Sequence, residues 1–177
     1  MGHPPREAYR AAERPPLPGR GWSIDLAGPF PPDEDGNRYL AVAVDCLTKW
    51  VEARPIPSKH AFRCAEWLYQ DIFARWGKPD WVRTDNGTEW EGAFDELLQH
   101  WGVHHHRITV GNSKANGQVE RTIRTIKDVL RKQLASDSDS YWSDHLSAAL
   151  ITLRHSAARS HGYPPFTLIT GLLPVLP

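Results

Sequence analysis

Asp25, Asp85 and Glu120 are the side chains whose type and spacing carry the most chemistry, because each falls in a separate predicted element and no Cys or His cage lies beside them. Three hard oxygen ligands suit Mg²⁺ or Mn²⁺, since Mg²⁺ keeps several waters and usually takes few protein carboxylates plus substrate phosphate. Two such ions roughly 3.5–4 Å apart stabilise both the attacking and the leaving oxygen of an in-line phosphoryl displacement. The chain has 21 acidic residues, and any one of them is usually a solvated charge or a cap, so carboxylates alone do not select this reading.

A second constellation is basic. From Trp101 to Ala135, seven basic residues (Arg107, Lys114, Arg121, Arg124, Lys127, Arg131, Lys132) face two acidic ones, a balance of +5. From Ala61 to His100 four basic residues face eight acidic ones, a balance of −4. Such polarity lets an acidic pocket gather cations beside a helix that attracts phosphates, although solvated faces produce the same pattern. Arg124, Lys127 and Arg131 follow Glu120 along one flank of a predicted helix, where a phosphate backbone would meet a row of cations. The run His104-His105-His106 alternates faces on a strand, so at most two could share an ion, and it reads as structural.

The elements that must position these groups are legible from periodicity. WSIDLAG, RYLAVAVDCL and KWVEARPI read as three antiparallel strands, with Pro31–Asn37 as a loop and Leu47–Thr48 as a tight turn. Ser58 to Trp76 has apolar residues at helical spacing, stopped by Gly77-Lys78-Pro79. WVRTD is a short strand ending in an Asn86–Gly87 turn, and Ala93 to Trp101 is a second helix, so Trp67 and Trp101 are expected in the core. A strand over Val103–Ile108 leads into a polar loop, Thr109–Gly117. The long helix that follows, about Gln118 to Leu134, has Val119, Ile123, Ile126, Leu130 and Leu134 on one face. Glu120 sits at the edge of that stripe, able to reach the sheet without burial. A last helix is expected from Tyr141 to His155, and no element is predicted for the proline-bearing end, YPPFTLITGLLPVLP.

Bulk properties frame a folded domain. The hydrophobic fraction of 40% and charged fraction of 24% are those of an ordinary globular protein. No apolar run approaches the ~18 residues of a membrane span, and the proline-rich start does not read as a secretory signal. Cys46 and Cys64 have neither metal-ligand spacing nor disulfide density, suit a reducing compartment and read as buried thiols. We divide the chain into an N-terminal linker (1–18), a core (19–157) and a C-terminal extension (158–177).

Three ordered motifs then stand out: Trp22-x-x-Asp25-x-x-Gly28-Pro29, Thr84-Asp85-Asn86-Gly87 and Asn116-Gly117-Gln118-x-Glu120-Arg121. Together with VDCLTKWVEARPIP and the closing YPPFTLITG, they resemble the integrase catalytic core of gypsy-type LTR retrotransposons and retroviruses, over nearly all the chain. The resemblance implies an α/β, ribonuclease H-like fold, a five-stranded mixed sheet flanked by helices. It implies that Asp25, Asp85 and Glu120 are catalytic and hold Mg²⁺ or Mn²⁺, as two ions, with 34 residues lying between the last two. Asn86 and Gly87 would shape the turn at Asp85, and Asn116 and Gly117 would begin the helix that presents Glu120. Lys114, Arg121, Arg124, Lys127 and Arg131 would meet DNA, Arg121 alternatively another subunit.

The implied reaction is trimming of the element's DNA ends followed by attack of the exposed 3′-hydroxyl on a target strand. Implied partners are element ends and target DNA, a homo-oligomer of at least two copies, and the zinc and C-terminal DNA- or chromatin-binding modules of a parent polyprotein, with no membrane; the implied location is the nucleus or a retroelement particle. One departure is GNSKANGQVE, where relatives often carry a proline and glutamine before the Asn-Gly. A catalytically idle DNA-binding or assembly module, and a ribonuclease H-type nuclease, remain alternatives on sequence.

Overall fold

The computed structural model describes residues 15–108, 113–137 and 139–175, with the side chains of 113–116 outside the description. Most of the expected linker and the segment 109–112 therefore lie outside the described residues. The expected five-stranded mixed sheet is present. β1 (Gly21–Ala27), β2 (Tyr39–Asp45) and β3 (Val51–Ile56) form an antiparallel meander, and β4 (Trp81–Thr84) and β5 (His104–Arg107) add in parallel to give the order β3-β2-β1-β4-β5.

Both faces of the sheet are covered, so β2 reads as an unbroken apolar run rather than an alternation. Ala41 and Ala43 of β2 face one layer with Trp22 and Ile24 of β1; Leu40, Val42 and Val44 face the other with Ala27. The first layer is α1 (Ala61–Trp67), continued through a π-helical stretch (Leu68–Phe73) into α2 (Ala74–Trp76), and α3 (Ala93–His100). The second is α4 (Ser113–Ser136) and α5 (Leu146–His155), entered through a 3₁₀ turn at Trp142–His145. Val119, Ile123, Ile126 and Leu130 bury the expected stripe of α4 on the sheet, each contributing roughly 1.5–3 kcal/mol of transfer free energy.

Several boundaries differ from the sequence reading. α4 begins at Ser113, so Asn116 and Gly117 lie inside the helix rather than ahead of it. Polar composition disguised this first turn, whereas the packed stripe downstream lets weak helix formers join the helix. Trp67 is buried as expected, but Trp101 is 40% exposed, its ring packed beside exposed Tyr69 and the buried core residue Phe73. The C-terminal segment carries a short helix, α6 (Pro165–Thr170), whose Phe166 stacks on His155 of α5.

One buried carboxylate ties the layers together. Glu52 of β3 is 5% exposed and accepts from Trp50 Nε1 (2.9 Å), Trp76 Nε1 (3.1 Å) and Arg154 Nη2 (2.8 Å). Arg154 also donates to Val51 O and lies over the Trp50 ring, so α5 and α2 are both pinned to the same sheet edge. Among the described residues, no helix is long and apolar enough to cross a membrane.

Candidate active site

Side-chain alternation fixes where Asp25 points. Trp22 and Ile24 are in the α1 layer, and Ala27 is in the α4 layer, so Ser23, Asp25 and Ala27 face α4. On β4, Val82 belongs to the α1 layer, which turns Arg83 and, one step past the strand end, Asp85 toward the same side as Asp25. Glu120 is the eighth residue of α4, exposed beside buried Val119.

Asp25 feels the charges of the other two carboxylates. Burial pushes the Asp25 carboxyl up from 3.8 to about 6, against a hydrogen bond from Leu26 N that favours its charged form, and the negative charges of Asp85, Glu120 and Glu89 raise it further. Asp25 is thus the inner member of an all-oxygen anionic group, and Asp85 is exposed at its mouth. Glu89 is a fourth carboxylate that sequence reasoning passed over; it follows Asp85 on the same loop, and nothing in its spacing marked it.

The loop at Asp85 is held by its own side chains. Asp85 Oδ1 accepts from Gly87 N (3.0 Å) and from Trp90 Nε1 (2.7 Å), and Trp90 is fully buried against Phe94. Gly87 has φ −64°, an ordinary extended backbone, so the glycine is not required by a left-handed turn. Its missing side chain instead leaves room for Glu89, whose carboxylate would lie 2.6 Å from a Cβ there. Asn86 is exposed. Gly28, by contrast, needs to be glycine: its φ is +129°, and a Cβ would stand 2.7 Å from Arg38 O.

α4 is aimed by the β2–β3 turn. Lys49, with φ 68°, sends Nζ to Cys46 O (2.5 Å) and Gln118 Oε1 (2.8 Å), two residues before Glu120. Buried Asp45 closes that turn by accepting from Thr48 N, Thr48 Oγ1 and Gly19 N. Gly117 leaves a gap in which Arg121 Nη1 lies 3.2 Å from where a Cβ would be.

The basic row is less uniform than its periodicity. Arg121, Arg124 and Arg131 are exposed, but Arg131 pairs with Asp128 (3.1 Å), and Lys127 lies over the Phe30 ring at 5.9 Å. The side chains of Lys114 and Asn116 lie outside the described residues. Cys46 and Cys64 are free and buried, and burial pushes the Cys64 thiol up to about 12.

Among the described residues, no three His, Cys, Asp or Glu side chains are gathered closely enough to hold a metal ion as they stand. Mutual repulsion opposes closer approach of the carboxylates when no cation lies between them. The donor set itself, oxygen only and anionic, is of the kind that Mg²⁺ and Mn²⁺ take.

A model of the integrase core domain matches residues 15–113, more than half of the chain. The chain belongs to the integrase core domain family. The Pol polyprotein of feline endogenous virus ECE1 is 33% identical over 164 residues, 90% of this chain and 15% of the polyprotein. The Gag-Pol polyprotein of woolly monkey sarcoma virus is 31% identical over 159 residues, 87% of this chain and 9% of the polyprotein. The chain therefore spans a small part of these relatives. A transposon relative, the Pol polyprotein from transposon 412 of Drosophila melanogaster, is 27% identical over 155 residues, covering 87% of this chain and 12% of the polyprotein.

Among solved structures, the simian T-cell lymphotropic virus intasome in complex with a PP2A regulatory subunit superposes with a TM-score of 0.78 at 24% identity, over 93% of this chain and 59% of that one. The HTLV-2 integrase catalytic core in complex with magnesium gives 0.70 at 23%, over 88% and 99%. These likenesses establish the integrase-core, ribonuclease H-like fold.

Proposed function

We propose that this chain is the catalytic core of a retroelement integrase, which trims DNA 3′ ends and joins them to a target strand, with Asp25, Asp85 and Glu120 as its metal-holding carboxylates. The observation that carries this reading is the parallel register of β1 and β4, with Asp25 and Asp85 on the sheet face packed by α4, the helix that bears Glu120. Bound there, Mg²⁺ or Mn²⁺, as a pair of ions, would supply Lewis-acid stabilisation of the attacking and leaving oxygens.

The chain's own residues then divide the work. Asp25, inner and partly buried, and Asp85, exposed at the mouth, draw the scissile phosphate's counter-charge to the end of β1 and β4. Trp90 and Gly87 hold Asp85 in place before substrate arrives, so less ordering is left to do in the reaction. Arg124, one turn beyond Glu120, and Arg121, with Lys127 and Arg131 further along and Lys114 ahead, take DNA phosphates. In trimming, a water oxygen bonds to phosphorus as the bond to the leaving 3′ oxygen breaks. In joining, the freed 3′-hydroxyl oxygen bonds to a target phosphorus, and the target's own 3′ oxygen leaves.

The family and the intasome and magnesium-bound relatives support DNA as partner, a homo-oligomer as working state and a divalent cation as cofactor. We place the action in the nucleus or a retroelement particle, alongside zinc and DNA- or chromatin-binding modules of a parent polyprotein. The test is strand joining on a branched DNA substrate with Mg²⁺ or Mn²⁺. Product is expected from the wild type, and Glu120→Gln should abolish it while folding is kept. Wild-type-like joining by Glu120→Gln removes Glu120 from the mechanism, and no product from the wild type favours an idle assembly module.

A further inference from the structure

A continuous chain of hydrogen bonds runs behind Asp85. Asp95 Oδ1 meets His105 Nδ1 at 2.6 Å, His105 Nε2 meets Thr84 Oγ1 at 2.8 Å, and Thr84 Oγ1 donates to the Asp85 carbonyl at 2.8 Å. Asp95 is itself clamped, because Arg107 Nη2 donates to its Oδ2 (2.6 Å) and also to Trp90 O (2.8 Å). We propose that Thr84, His105 and Asp95 form a positioning relay that fixes the backbone at Asp85 and so the aim of its carboxylate.

An acid, a histidine and a hydroxyl in this order are also how a nucleophile is activated. Burial excludes that use here. Thr84 is fully buried, so no substrate reaches its hydroxyl. Its hydroxyl oxygen stands within hydrogen-bond distance of both the Asp85 carbonyl, to which it donates, and His105 Nε2. The relay begins on α3 and β5 and ends at the first residue beyond β4. It therefore ties the Asp85 loop to two elements that contribute none of the three carboxylates. Trp90 holds the same residue from the other end, by its side chain. Asp85 is thus fixed at both carbonyl and carboxylate.

The proposal rests on Asp85 being an active-site carboxylate, and the test separates the two. Thr84→Ser keeps the hydroxyl and loses a methyl; Thr84→Val keeps the shape and loses the hydroxyl. A relay predicts that strand joining with Mg²⁺ is retained in Thr84→Ser and falls roughly 10- to 100-fold in Thr84→Val. The loss should lie in kcat, with KM for DNA unchanged. A packing role predicts the opposite order. The second readout needs no activity: in the metal-free protein, the Asp85 carbonyl carbon resonance should stay in place in Thr84→Ser and move in Thr84→Val. Joining in Thr84→Val at least equal to Thr84→Ser, or an unmoved resonance, overturns the relay. If the wild type joins no DNA, the proposed function fails and the resonance alone decides the relay. If Thr84→Val does not fold, Asp95→Ala at the outer end replaces it, and an unmoved Asp85 carbonyl there is equally contrary.

Discussion

Asp85 stands level with Asp25 because β1 and β4 run parallel at a constant offset. Gly21 pairs with Trp81, Trp22 with Val82 and Ser23 with Arg83, and the same offset of 60 residues separates Asp25 from Asp85. Neighbouring strands lie ~4.8 Å apart, so two steps past the last paired residues put both acids side by side toward the C-terminal ends of these two inner strands, on the face that α4 covers. That relationship explains why Asp85 is the charge that acts most on Asp25.

Asp25 makes folding depend on pH in a defined direction. Its folded value, about 6, lies above its ordinary 3.8, so the folded state binds the extra proton and is favoured as pH falls between those values. The charged form opposes folding fully above pH 6, by roughly 2–3 kcal/mol. Asp25→Asn should therefore be more stable than wild type by about that amount at pH 7 without divalent ions, with the gap closing toward pH 4. Urea midpoints of both proteins across that range test it; parallel profiles contradict it.

Trp90→Phe keeps the buried ring but removes the donor to Asp85 Oδ1. Joining should fall about tenfold while stability drops by only ~1 kcal/mol, the net worth of an ordinary hydrogen bond. Equal activity at equal stability would show that Asp85 needs no such restraint.

Glu52 should matter to folding and not to chemistry. Glu52→Ala leaves Arg154 without its carboxylate and both indole donors unpaired, which costs about 3–5 kcal/mol. Arg63→Ala, breaking an exposed pair with Glu66, should cost at most ~1 kcal/mol. Thermal unfolding of the two variants side by side gives the comparison.

Within the basic row the arginines should differ. Arg124→Ala should weaken DNA binding and lower the salt slope by about 1. Arg131→Ala should do less, because Arg131 is already paired with Asp128. Identical effects from the two would mean that only bulk charge is sensed.

How much of this was legible in the sequence follows from what periodicity can see. The β2 run and the Val119-to-Leu130 stripe announced their partners, because burial writes a repeat into the chain. The motif around Asp85 located its loop. Nothing announced the restraints on that loop: Trp90, His105 and Thr84 act through tertiary hydrogen bonds between residues whose spacing carries no signal. His105 was legible only as one of three adjacent histidines, and its reading as structural missed that it faces Thr84. The start of α4 is hidden because SKANG has loop composition, and the 40% exposure of Trp101 is hidden because helical spacing says which residues share a face without saying what covers it.

The most direct measurement is anomalous diffraction from crystals of the wild-type protein soaked in Mn²⁺. Peaks bridging the Asp25 and Asp85 carboxylates, with a second within reach of Glu120, are the expected result. Mn²⁺ bound only at sites remote from Asp25 and Asp85, or none bound at concentrations that support joining, would contradict a shared ion held by these carboxylates.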